Sequence, residues 1–415
     1  MLAESMRIAI VTSLYPGMIR QFYEENPNAR RLPFEQQRTE LDLRISLWAG
    51  GWARVLVRKG WDVATITVNN IPLQRQWALE HAPQLSAMND IVLEQLGRFQ
   101  PDIVWYDHSD IPLLKRIKSA IQSLRLVVGW SGSHVVDPHV WACVNLMFSC
   151  APEVVQTVQQ AGFQAAQLHH AFDPDLMGLI GPRIPRNELI FLGQFVRGSN
   201  YHRIREEILL RLVKKLDVSV LTPSFSLGIR EIVRSAMKKT AGYALSPLVP
   251  LIDRIRLLRQ NIYVREIIRS RTVPLMPYDR KLKPHMHAPV YGATMLARIR
   301  QSSVALNIHA DSSPRYASNM RLFEITGAGA CLLTDWRENL GSLFEEGTEI
   351  VSYRSADECI EKATWLLAHP DRCEEIALRG HQRTLKDHTF DMRADQFIET
   401  IERVMARQTI NEKTS

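Results

Sequence analysis

Cysteine is scarce in this chain. Five residues in 415, Cys143, Cys150, Cys331, Cys359 and Cys373, are odd in number and form no CxxC pair. That spacing argues against a disulfide framework or a cysteine zinc site and leaves reduced core thiols as the expectation. Other metal signatures are missing too: there is no HExxH, and the one DxD, Asp173 with Asp175, falls in a stretch that reads as a linker. Chemistry without a metal, with arginine neutralising charge, is therefore expected. No apolar run reaches the roughly 18 to 20 residues of a membrane span. The opening MLAESMRIAIVTS passes straight into a strand with no basic region and apolar signal core, so a cytoplasmic location is expected. GxGxxG is absent as well, which removes the dinucleotide-dehydrogenase fingerprint.

What is present is a globular composition, 46% hydrophobic and 23% charged, on a chain too long for one ordinary core, so two domains of about 150 to 200 residues are expected. The net charge of +7 is concentrated. From Gly228 to Pro284 there are thirteen Lys or Arg against four Asp or Glu.

Strand and helix patterns alternate twice. Arg7–Ser13, Trp61–Val68, Ile103–Tyr106, Leu124–Trp130 and Asn145–Cys150 read as strands, with helical periodicity over Leu41–Arg58, Asp90–Phe99 and Ala151–Gly162. Such alternation specifies a doubly wound parallel sheet. After Phe172 the period is lost among Pro174, Gly178, Gly181, Pro182 and Pro185, which marks a linker at 176–186. A second alternation starts at the strand Leu189–Leu192 and runs to about 390, interrupted by a basic helical insertion at about 228–284. The domains read as 1–175, 187–390 and a last helix and tail at 391–415.

One stretch organises the second half: VALNIHADSSPRYASNMRLFEITGAGACLLTD, from Val304 to Asp335. It reads as strand, polar loop, short helix, Gly-rich turn and strand, which puts a helix start with Asn319, Arg321 and Glu324 at the mouth of a parallel sheet. Unpaired N–H groups and the helix dipole suit such a place to phosphate. With Tyr291–Gly292, LNIH at Leu306–His309, NMRLFE at Asn319–Glu324, TGAG at Thr326–Gly329, LLTD at Leu332–Asp335, LFEEGTEIVSY at Leu343–Tyr353 and HTF at His388–Phe390, the chain resembles the CgeB-like (spore-maturation protein) set of GT-B glycosyltransferases, related to family 4.

The resemblance implies a GT-B architecture, two Rossmann-like α/β domains facing a cleft, with the last helix crossing back to the first domain. It implies a nucleotide-diphosphate sugar as donor substrate, no separate cofactor, and a glycan or lipid-linked precursor as acceptor. It aligns Glu324 with the second glutamate of the family E-x7-E motif, hence with a ribose diol. Tyr316 stands where the first glutamate would be. Arg321 is read as a phosphate fork or a surface ion pair, and Asn319 as a ligand contact or a plain helix cap. Gly327 lets backbone approach a ligand or merely ends the helix. In the loop after the strand Leu189–Leu192, Gly193 and the His202-x-x-Arg205 pair are diphosphate candidates by resemblance, against a solvated basic helix start. His309, directly after a strand, is a catalytic or a core histidine.

Asp107, His108, Asp110 and His134 end predicted strands of the first domain. If transfer inverts the anomeric centre, one of them acts as general base; if configuration is retained, the diphosphate takes the proton. In the insertion, Arg254, Arg256, Arg259, Arg265 and Arg269 alternate with Leu and Ile, a pattern for an anionic membrane surface over 228–271, for an anionic glycan, or for a helical cap. Location at the inner membrane face is the corresponding expectation. Two further readings stay open: a catalytically silent GT-B-like structural or glycan-binding protein, and a nucleic-acid binder, the latter without any accompanying motif.

Overall fold

The computed structural model describes residues 5–132, 138–194, 202–226, 229–255, 264, 267–268, 270–271, 275–276, 278–310 and 314–414. Short apolar runs buried on both faces build the frame, as parallel sheets covered by helices require. The first sheet comprises β1 Arg7–Thr12, β2 Asp62–Thr67, β3 Ile103–Asp107, β4 Leu126–Ser131, β5 Leu146–Ser149 and β6 Ala165–Gln167, in the order β2-β1-β3-β4-β5-β6. The second comprises β7 Arg186–Leu192, β8 Val218–Leu221, β9 Met286–His287, β10 Ser302–Asn307, β11 Cys331–Asp335 and β12 Val351–Tyr353, in the order β12-β11-β10-β7-β8-β9. Every neighbouring pair is parallel. The strand order reverses between β1 and β3 in one sheet and between β7 and β10 in the other. Ligands of open α/β sheets bind outside the strand carboxyl ends at such reversals.

Aromatic packing seats the last helix, Phe390–Thr414, in the first lobe. Phe397 stacks on Trp105 with ring centres 4.7 Å apart, and Trp52 lies 4.9 Å from the same indole. Between the lobes, Arg54 donates to the buried Asp173 through Nε (2.9 Å) and Nη2 (2.5 Å). The main chain of Phe172 pairs with His388 and Phe390. Gln21 exchanges two hydrogen bonds with the backbone of Tyr291.

The periodicity over Leu41–Arg58 belongs to two helices, Phe34–Arg44 and Leu47–Arg58, not one. The N–H groups of Ile45 and Ser46 both reach the Leu41 carbonyl and close the first helix. The break lies against the second lobe: Gly292, at φ +61°, comes so close that a Cβ there would stand 1.9 Å from the Arg44 carbonyl. In the insertion, the helix Ile229–Leu245 is followed by a 3-10 turn at Ser246–Leu248 and the short helix Val249–Arg254. Pro247 and Pro250 sit at the starts of those last two, where a missing N–H is tolerated.

Candidate functional site

At the reversal of the first sheet, β1 ends at Thr12 and β3 at Asp107, which face each other in register. The Thr12 hydroxyl donates to Asp107 Oδ2 at 3.0 Å. Burial pushes the Asp107 carboxyl up to about 7, the Thr12 bond pulling slightly the other way. That value suits a general base near neutral pH. His108 Nδ1 lies 3.3 Å from Ser13 Oγ, and burial lowers its pKa against the pull of Asp110. Asp110 has a different job. Its Oδ1 accepts from the Leu113 N–H (2.9 Å) and its Oδ2 from Asn89 (3.1 Å), so it caps the helix Ile111–Ala120 and is not free to act as a base. His134 lies outside the described residues.

At the reversal of the second sheet, Arg205 bridges the two strand ends. Its Nε donates to the Ile308 carbonyl (2.9 Å) after β10 and its Nη1 to the Gln194 carbonyl (3.3 Å) after β7. Gly193 continues β7, its N–H on the Leu221 carbonyl of β8. His202 sits just before the helix Arg203–Leu212, its pKa pulled down to about 4 by burial and by Arg205, so the ring is neutral at pH 7.

His309 is buried, with Nδ1 2.7 Å from Asp335 Oδ1, and its backbone N–H donates to the same oxygen. Asp335 in turn pairs with Arg337 at 2.6 Å. Burial raises the Asp335 carboxyl, but His309 and Arg337 together outweigh it and hold it below the usual range. Among the described residues Nε2 of His309 has no hydrogen-bond partner. Asn319 does not cap the following helix, Arg321–Ala328, whose cap position is Met320. Its Nδ2 instead donates to Asn307 Oδ1 at 2.6 Å, and Asn307 donates to Thr334, so Asn319 ties the loop to β10 and β11.

Glu324 is buried in the first turn of that helix and accepts from Arg321 Nη1 at 2.6 Å. It faces a crevice of about 20 Å³ between the lobes, walled by Leu47 and Trp48 of the first lobe and by Phe172, Leu296 and Phe390. At Gly327 the close neighbour is protein. A Cβ there would meet the Phe172 ring at 2.2 Å, so the missing side chain makes room for the linker. The helix ends at Gly329, which takes a left-handed φ of +84°.

A larger cleft of about 500 Å³ opens at the carboxyl ends of β11 and β12. Arg315, Asp335, Trp336, Arg337 and Arg354 line it, the Arg354 guanidinium lying 3.8 Å above the Trp336 ring. Its size is that of a small-molecule site. The Asp335-Trp336-Arg337 run was readable as a polar strand end, but local pattern does not say which strand ends enclose space. Glu153 is another residue that sequence reasoning passed over. It stands in the first turn of the helix Pro152–Gln160 and accepts across the cleft from the backbone N–H groups of Arg315 (3.3 Å) and Tyr316 (3.2 Å). A carboxylate thus reaches the Tyr316 position from the opposite lobe. Among the described residues no group of three or more His, Cys, Asp or Glu could hold a metal ion, and no helix is long and apolar enough to cross a membrane.

Two lobes of this topology meeting at their strand carboxyl ends define the GT-B fold. The whole chain superposes on solved GT-B structures: a glycosyltransferase from Rickettsia africae ESF-5 (TM-score 0.53, 9% identity, 97% of this chain and 99% of that one) and sucrose-phosphate synthase from Thermosynechococcus elongatus (0.52, 10%, 97% and 100%). A third is a glycosyltransferase involved in avilamycin A biosynthesis (0.50, 12%, 97% and 98%). Residues 251–399 match the family model described as glycosyl transferase-like. No curated protein matches the chain by sequence.

Proposed function

We propose that the protein is a glycosyltransferase of the CgeB-like set, moving a sugar from a nucleotide-diphosphate donor to a glycan or lipid-linked acceptor in the cytoplasm. The observation that carries this reading is the buried Glu324, facing the crevice between two GT-B lobes and paired with Arg321 at the start of Arg321–Ala328. A carboxylate accepts from the two vicinal hydroxyls of a ribose, and a guanidinium neutralises phosphate oxygens bidentately. Arg205, at the strand reversal, supplies a second cation, and charge neutralisation by arginine makes a metal unnecessary.

In the transfer, the acceptor oxygen bonds to the anomeric carbon while the bond from that carbon to the diphosphate breaks, its electron pair leaving with the nucleotide. If configuration inverts, Asp107 takes the acceptor proton; if it is retained, the leaving diphosphate does. A crevice of about 20 Å³ is far below the roughly 300–1,000 Å³ of a ligand site. Donor binding therefore requires the lobes to part along Trp48 and Phe390. The test is thermal stabilisation by a panel of nucleoside diphosphates. At least one is expected to raise the melting temperature of the wild type, and Glu324→Gln is expected to lose most of that rise while folding normally. Stabilisation by none, or a variant with full donor affinity, overturns the assignment.

A further inference from the structure

The helix Ile229–Leu245 and the short helix Val249–Arg254 contribute no residue to either space described above. At 3.6 residues per turn, Val233, Met237, Thr240 and Ala244 share one stripe, and Gly242 lies on the opposite side. The Gly242 side is the one that packs inward. Gly242 is buried, a Cβ there would meet the Ile267 carbonyl at 2.3 Å, and Ser270 Oγ donates to the Lys238 carbonyl. The apolar stripe therefore faces outward, with Val233 49% and Met237 68% exposed. Arg234 and Lys238 follow on one flank of the stripe, and Tyr243 (60% exposed) and Lys239 on the other. Beyond the 3-10 turn the exposed surface continues through Leu248, Leu251 (55%) and Ile255, beside Arg254.

We propose that this face docks on a bilayer carrying anionic lipids, lying in the plane of the headgroups. An outward apolar stripe enters the interface while lysine and arginine at its flanks extend their charged ends to phosphate. The excess of thirteen cationic over four acidic residues from Gly228 to Pro284 supplies long-range attraction to an anionic leaflet. A nucleic acid fits the face less well, because its contacts need cations at the centre, and here the centre is valine and methionine. The inference does not depend on the donor assignment.

The experiment is co-sedimentation of the full chain with vesicles of phosphatidylcholine mixed with phosphatidylglycerol, and with vesicles of phosphatidylcholine alone. Binding is expected to the mixed vesicles, weaker by about tenfold or more without the anionic lipid. Met237→Ser combined with Leu251→Ser is expected to reduce binding by a similar factor, with an unchanged melting temperature because both side chains face solvent. Failure to bind either vesicle overturns the proposal. So does binding that survives the double substitution, or duplex RNA that binds tightly and displaces the protein from vesicles, since either points to a purely electrostatic grip on polyanions.

Discussion

Asp107 shows how one position acquires an unusual pKa from its surroundings. Burial at the carboxyl end of β3 lifts its carboxyl to about 7, so it is about half ionised near neutral pH. Only the ionised form accepts a proton, so for an inverting transfer kcat is expected to rise with pH through about 7 and level off above it. Asp107→Asn is expected to lower kcat by about 10²–10⁴ and to abolish that rising limb. A pH–rate profile of both proteins checks this, and a limb that persists in the variant removes Asp107 from the base role. The sequence indicated that Asp107, His108 and Asp110 end a strand, but not which one serves the next helix. That was settled by the Leu113 N–H, which takes Asp110 as its cap.

Among the elements, the helix Arg321–Ala328 holds Glu324 at the crevice, and its Gly327 packs against Phe172. Alanine is the better helix former by about 1 kcal/mol, yet at Gly327 a Cβ would press 2.2 Å from the Phe172 ring. Overpacking wins, and Gly327→Ala is expected to destabilise by about 1–3 kcal/mol in urea unfolding. A neutral or stabilising result would mean that Phe172 moves aside easily. The helix itself was legible from Asn319 onward because its periodicity is local. The break between Phe34–Arg44 and Leu47–Arg58 was not, because the apolar period runs on through it; the break packs against Gly292 of the other lobe.

For the whole molecule, Arg54 of the first lobe pairs with the buried Asp173 of the segment that leads to the second. Removing one partner of a buried pair leaves an uncompensated charge, so Arg54→Ala is expected to cost about 3–5 kcal/mol. Asp173→Asn combined with Arg54→Ala should recover part of this in the same unfolding assay; additive losses would show that the pair is not coupled. The sequence by itself determined two α/β halves, because apolar strand runs, helical periodicity and strand-ending polar residues are short-range properties; the GT-B architecture was implied only by the family resemblance. Only the tertiary structure decided which distant residues adjoin: Thr12 with Asp107, 95 positions apart, and Glu153 with Tyr316, 163 apart. Pairings over such distances are fixed by the order in which strands add to a sheet and by how two lobes close, and neither leaves a mark on neighbouring residues.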